Sequence, residues 1–352
     1  MKKLSFSIYY IIIAGILVSA CGKKGDQQAA VKKRYILTNE YNNANNSAIA
    51  KYFVDDVPTT IGNPSVSEIY GEDLEVSGND VYVLASRRPI SGGAFDAVVY
   101  KNGVELVTVS AVAGVYYNCL AVNGSDIYLA GMHYPSGGVP KIIQWKNGTV
   151  TSITENTGSN ATDARPYDMT IAGSDVYIAG YETATGSPYN KLPRYWKNGV
   201  AVTPNASPGV YSIIHRIVVA GNDVYCAGQS DDKAVYWKNG VPVVLNSLSG
   251  WCYGIAVDGG NIYAAGSISA SPGIYNAVSW KNTTQAMLSN ITAAGVVSVY
   301  GIGLDGNDVY IIGSMPEANG SGAKSVYWKN GTLTILPTGD GYNGYAYRIV
   351  IK

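Results

Sequence analysis

The sequence predicts an all-β fold: a seven-bladed β-propeller with four antiparallel strands per blade, its ring closed by the C-terminal strand joining the N-terminal blade. Three observations carry this expectation. Two short motifs alternate through the chain, the composition suits short strands and tight turns, and the last strand arrives without the hairpin partner that its relatives have.

The first motif is Tyr-Trp-Lys-Asn-Gly and its variants. Its Trp falls at Trp145, Trp196, Trp237, Trp280 and Trp328, with Tyr100 in the same slot and Phe53 heading a degenerate copy. These seven positions lie 41 to 51 residues apart. The second motif, Gly-Asn-Asp-Val-Tyr and variants, puts its Tyr at Tyr82, Tyr128, Tyr177, Tyr225, Tyr263 and Tyr310, with Tyr35 as an earlier counterpart. The motifs alternate strictly. A fixed period of this length with four strand-like runs per copy is the signature of propeller blades.

The fifth copy shows the layout. Residues 213–219 form an apolar strand A, Gly221-Asn222-Asp223 a tight turn, and residues 224–228 strand B. A variable loop then leads to strand C at 234–237, the Asn239-Gly240 turn and strand D at 241–245. Asn-Gly fits a type I′ hairpin because both central residues need positive φ. With 41 Gly, 29 Tyr and 14% charged residues, the rest of the chain has the same character. The motif aromatics are expected to pack blade against blade.

The ends predict closure. The first copy has strands B, C and D but no A. Tyr347-Arg348-Ile349-Val350-Ile351 aligns with the A strands His215-Arg216-Ile217-Val218-Val219 and Tyr167-Asp168-Met169-Thr170-Ile171, and no strand follows it. It is therefore expected to enter the first blade as its inner strand.

The first twenty residues read as a targeting segment. Lys2 and Lys3 precede an apolar run at 4–17, and Val18-Ser19-Ala20 places small residues before Cys21. Leu17-Val18-Ser19-Ala20-Cys21 resembles the lipobox of a bacterial lipoprotein signal. The resemblance implies cleavage before Cys21, lipid on its sulfur and anchoring in the cell envelope. Gly22 in the second mature place implies the outer rather than the inner membrane. Residues 21–32 then form the lipidated Cys and a polar tether, and residues 33–352 the propeller. Basic and acidic residues are 25 each, and losing Lys2 and Lys3 leaves 23 against 25. This balance argues against a nucleic-acid partner, which would demand a basic face. Cys119, Cys226 and Cys252 sit in apolar strand patterns and read as buried hydrophobes. A Cys226–Cys252 disulfide is the alternative.

The YWKNG repeats over residues 33–352 resemble those of bacterial envelope propeller lipoproteins, a resemblance that implies the fold and names no activity. The signatures of the WD40, sialidase and kelch propellers are absent from the sequence.

Within the repeats, the positions two and four before the A–B turn Gly are aliphatic or Met, and form core. The positions six and five before it diverge: Glu72-Asp73, Asn118-Cys119, Tyr167-Asp168, His215-Arg216, Tyr253-Gly254, Tyr300-Gly301 and Tyr347-Arg348. With strand A innermost, they ring one mouth of the channel, on the end carrying the variable loops 86–95, 132–140, 181–193 and 315–324. Trp251, outside the motif, falls near the same end. The expected ligand-binding residues are Glu72, Asp73, Asn118, Asp168, His215, Arg216, Trp251, Tyr253 and Arg348, with Tyr70, Tyr116 and Tyr117 as further rings. Solvated channel lining is the plain alternative.

Rings with mixed polar groups favour a glycan, and an envelope protein is the competing partner. No cofactor, metal or catalytic residue is assigned. With His133 and His215 alone, a multi-His metal site is excluded. An enzyme alternative stays open: a glycan hydrolase using a carboxylate pair such as Asp73 and Asp168, or a lyase using His215, Arg216 and a Tyr.

Overall fold

The computed structural model describes residues 32–352 except 43, 45–46, 110–111, 137, 155–162, 184–189, 207–210, 272–273, 289–296 and 318–321. The signal segment, Cys21 and the tether up to residue 31 lie outside the described residues, as do parts of the loops 132–140, 181–193 and 315–324.

The fold is all-β in a propeller arrangement. One four-stranded sheet runs β27 (Asn343–Ile351), β1 (Arg34–Asn42), β2 (Ser47–Val54), β3 (Val57–Thr60). The next comprises β4 (Ser67–Ser77), β5 (Asp80–Pro89), β6 (Asp96–Lys101) and β7 (Val104–Val109). It is followed by β8 (Val115–Asn123), β9 (Asp126–His133), β10 (Lys141–Lys146) and β11 (Thr149–Ser152), then by β12 (Ala164–Ala172), β13 (Asp175–Thr183), β14 (Lys191–Lys197) and β15 (Val200–Val202). The last four-stranded sheet is β23 (Ser298–Asp305), β24 (Asp308–Pro316), β25 (Ala323–Lys329) and β26 (Thr332–Ile335). Between these lies one seven-stranded sheet: β16 (Ser212–Ala220), β17 (Asp223–Ser230), β18 (Lys233–Lys238), β19 (Val241–Asp258), β20 (Asn261–Ser271), β21 (Ile274–Lys281) and β22 (Thr284–Met287).

The expectation of seven separate four-stranded blades is thereby corrected: five blades are separate four-stranded sheets. The fifth and sixth repeats run together because one continuous strand, β19, serves both sheets, with an irregularity at residues 245–248. The first half of β19 pairs with β18 and residues 250–258 pair with β20. The innermost strands touch in the order β4, β8, β12, β16, β19, β23, β27 and back to β4. The C-terminal strand does complete the first blade: β27 lies antiparallel to β1, and Lys33 and Lys352 exchange main-chain hydrogen bonds of 2.6 and 3.1 Å.

Both motifs have structural explanations. In the fifth repeat, Asn239 takes positive φ, its Oδ1 accepts from Val224 N at 2.8 Å and its Nδ2 donates to Asp223 at 2.7 Å. Lys238 pairs with the same Asp223 and covers the Tyr225 ring. One hairpin turn thus clasps the other. The arrangement recurs at Asn102, Asn147, Asn198 and Asn330, with Asn261 replacing the Asp in the sixth repeat. The Trp slot fills the seams. Trp145, Trp196, Trp237, Trp280, Trp328, Tyr100 and Phe53 each join a buried cluster with side chains of the preceding repeat, and Phe53 reaches Tyr310, Ile312 and Tyr327 across the closure. Fully burying one such side chain contributes roughly 2–3 kcal/mol. Cys119, Cys226 and Cys252 are buried free thiols, so the disulfide alternative fails.

Candidate functional site

Each inner strand carries a β-bulge at the same place. The ladders skip Glu72, Asn118, Tyr167, His215, Tyr253, Tyr300 and Tyr347. A bulge re-aims the side chain it holds. These are the positions six before the turn Gly, and all seven line one cavity of about 350 Å³ with Asp73, Arg216 and Arg348. The bulge explains a glycine in strand B. A Cβ at Gly131, Gly180, Gly228, Gly266 or Gly313 would sit within 2 Å of the carbonyl oxygen just before the bulge. Small residues there let the extra residue fit.

Five bulge residues form an arc of rings. Centroid separations are 5.2 Å for Tyr167–His215, 4.7 Å for His215–Tyr253, 6.4 Å for Tyr253–Tyr300 and 5.1 Å for Tyr300–Tyr347. Nε2 of His215 is enclosed and has no hydrogen-bond partner among the described residues, and burial lowers the imidazole pKa to about 4. His215 is therefore neutral across the physiological range. Burial pushes the Tyr253 phenol up to about 12, so it too stays neutral. Glu72 and Asn118 complete the ring. Glu72 accepts from Ser86 at 2.8 Å, and burial raises its carboxyl above the usual range. Asn118 donates to Pro166 O of the next inner strand at 2.8 Å.

One layer down lies an ion cluster. Arg348 contacts Asp73 at 3.0 Å through Nε and Asp168 at 2.8 Å through Nη1. The Nε contact lacks hydrogen-bond alignment, so it is a charge contact. Arg216 Nη1 reaches Asp168 at 3.2 Å and its Nη2 donates to Tyr300 O. Asp73 accepts from Leu74 N and from Leu120 N of the adjacent inner strand, each at 2.8 Å. Asp168 likewise accepts from Ile217 N. Burial lifts Asp73 to about 7 against the pull of Arg348, and Asp168 is raised for the same reason. Burial works against the Arg348 guanidinium, but the charges of Asp73 and Asp168 outweigh it and raise its pKa above the ordinary value.

The expected site residues divide accordingly. Glu72, Asn118, His215 and Tyr253 meet at the mouth. Asp73, Arg216 and Arg348 also line the cavity, but as members of the ion cluster, while Asp168 lines a smaller space beneath it. Trp251 does not line the cavity; its ring lies against Tyr275 at 4.7 Å. Tyr117 is in the core. Tyr70 and Tyr116 line a neighbouring cavity of about 380 Å³ with Asn39, Tyr41, Phe95 and Ser86, and this cavity shares Glu72 and Tyr347 with the first. Tyr41, on the second strand of its blade, was not expected. Repeat alignment of the inner strands could not find it, although its place at the end of β1 beside a variable loop was readable.

No protein-family model matches the chain, and none of the curated proteins matches it. Solved structures do. A prolyl endopeptidase superposes with a TM-score of 0.55 at 10% identity, covering 89% of this chain and 50% of that one. A puromycin-hydrolysing peptidase from Mycobacterium tuberculosis gives 0.54 at 10% identity, covering 89% and 53%. The chain thus spans about half the length of these peptidases. At such identity the likeness is one of fold alone, and the fold is a β-propeller.

Proposed function

We propose that the chain is a non-catalytic, lipid-anchored envelope protein that binds a glycan at the mouth ringed by the seven bulge residues. In this reading the seven-stranded sheet counts as two blades sharing β19, which makes the propeller seven-bladed. The observation that carries the binding role is the bulge ring itself: seven inner strands each deliver one side chain to a single cavity. Its tyrosines offer faces for sugar C–H groups, and Glu72 and Asn118 offer hydrogen-bonding atoms for hydroxyls.

The hydrolase alternative loses its carboxylate pair, since Asp73 and Asp168 are both engaged by Arg348 and by main-chain N–H groups. The lyase alternative keeps a neutral His215, but Arg216 is committed to Asp168 and Tyr300. An envelope protein as partner remains the competing binding reading. A glycan array probed with the parent protein and with Tyr253→Ala and Tyr300→Ala tests the proposal. Binding lost in both folded variants supports it, and turnover of the captured glycans would turn the reading to an enzyme. Silence across the array sinks the glycan reading. The anchor has its own test: Cys21→Ala should move the protein from the membrane to the soluble fraction and abolish labelling by a radioactive fatty acid.

A further inference from the structure

Among the described residues the charges around the cavity do not balance. Asp73 and Asp168 are matched by Arg216 and Arg348 in one closed cluster. Glu72 stands outside it. Its side chain accepts a hydrogen bond from the neutral Ser86, and the charge that acts on it is another carboxylate, Asp73. His215 contributes no positive charge at neutral pH. Lys191, which acts on His215 from outside the lining, already covers the Tyr181 and Tyr211 rings at 4.0 and 5.0 Å and shares the field of Asp163 with Arg165. A half-buried carboxylate without a cation among the described residues is costly, and an entering cation would relieve that cost.

The surroundings of Glu72 suit such a cation. It lies where the two cavities meet, with Tyr347 lining both. On one side stand Tyr41, Tyr70 and Phe95, ring to ring at 5.7 and 5.6 Å, with the Phe95 face already covered by Arg88, whose charge is matched by Glu68. On the other is the arc from Tyr347 back to Tyr167. Neutral phenol faces attract ammonium groups through their quadrupoles. We infer that the ligand carries a protonated amine, held by Glu72 between these two tyrosine-lined cavities. The inference rests on the glycan reading above and narrows it to saccharides bearing free amino groups.

The test is titration calorimetry of the purified full-length protein with four probes: glucosamine oligomers, their N-acetylated counterparts, neutral gluco-oligosaccharides of the same length, and tetramethylammonium. The inference expects glucosamine oligomers to bind at least about tenfold more tightly than the acetylated or neutral ones, the loss of one charge-assisted contact. Glu72→Gln should remove that preference while leaving the melting temperature within a few degrees. Equal binding of free-amine and acetylated oligomers overturns the inference and leaves the glycan reading standing, and it does so on the parent protein alone should the variant misfold. A free-amine preference that survives Glu72→Gln in a folded protein also overturns it. Binding of tetramethylammonium without any saccharide keeps the ammonium site and removes the glycan. Binding of none of the four overturns both.

Discussion

At the scale of single residues, the buried ionisable groups pull in opposite directions. Burial raises Asp73 from its ordinary value to about 7 and raises Glu72 in the same sense. The native state then holds protons that the unfolded chain has released, so these carboxyls make stability fall as pH rises from about 4 to 7. His215, lowered to about 4, does the reverse. The unfolded chain binds its proton below about 6.5, so stability rises with pH over nearly the same window. The contributions of Asp73 and His215 are of similar size, on the order of 3–4 kcal/mol, and in the parent they oppose one another. His215→Gln should therefore make the stability-versus-pH slope between pH 4.5 and 6.5 more negative, and Asp73→Asn should make it more positive, as read from urea midpoints. Three parallel curves would sink this account. The sequence marked these residues as one diverging layer because the repeats supply their own alignment. It could not say that Asp73, Asp168, Arg216 and Arg348 neutralise each other. That depends on which strands face one another across the channel, and strand-local pattern carries no such information.

At the scale of the strand, the bulge is the device that makes the mouth. An unbroken ladder would alternate faces. The bulge instead lets two successive residues, such as His215-Arg216 or Tyr347-Arg348, both face the cavity. The cost is a close approach of strand B, met by glycine. Gly228→Ala places a Cβ 1.9 Å from Ile213 O, too close to coexist. The variant should lose about 1–3 kcal/mol or more, measured by chemical denaturation, and should lower ligand affinity by shifting the His215 backbone. Gly199→Ala makes a poor control because Gly199 has φ of 81°, whereas Ala201, exposed on β15, is a neutral comparison site. The Gly of Val-Tyr-Ile-Ala-Gly and its relatives was visible in the repeats as a recurring residue. Its purpose was not, since a strand glycine alone does not say whether it admits a bulge, a neighbouring backbone or a ligand. The hairpin turns were more legible: Asn-Gly announces positive φ by chemistry alone, and Asn102, Asn147, Asn198, Asn239 and Asn330 all adopt it.

At the scale of the whole molecule, the two chain ends are tied by more than the β1–β27 ladder. Glu40 on β1, buried and paired with Lys51 at 2.7 Å, accepts from Gly339 N just ahead of the closing strand. Lys352 reaches Glu75 on β4. Arg348 goes furthest. It sits on the last strand yet binds Asp73 on β4 and Asp168 on β12, so the closing strand is held to two other inner strands by charge as well as to its own blade by hydrogen bonds. Arg348→Met keeps the length of the side chain and removes the guanidinium. It leaves two buried carboxylates facing each other with Arg216 alone, and breaking a buried pair from one side costs about 3–5 kcal/mol. The loss should be larger above pH 7, where Asp73 would have to ionise, than at pH 5, where it can take up a proton. If the cluster acts as the clasp of the ring, hydrogen exchange in Arg348→Met should quicken first in β27 and β1 and only later in β12 to β15. Uniform acceleration over all sheets would mean that the cluster stabilises the propeller without holding its ends, and closure would then rest on the main-chain ladder.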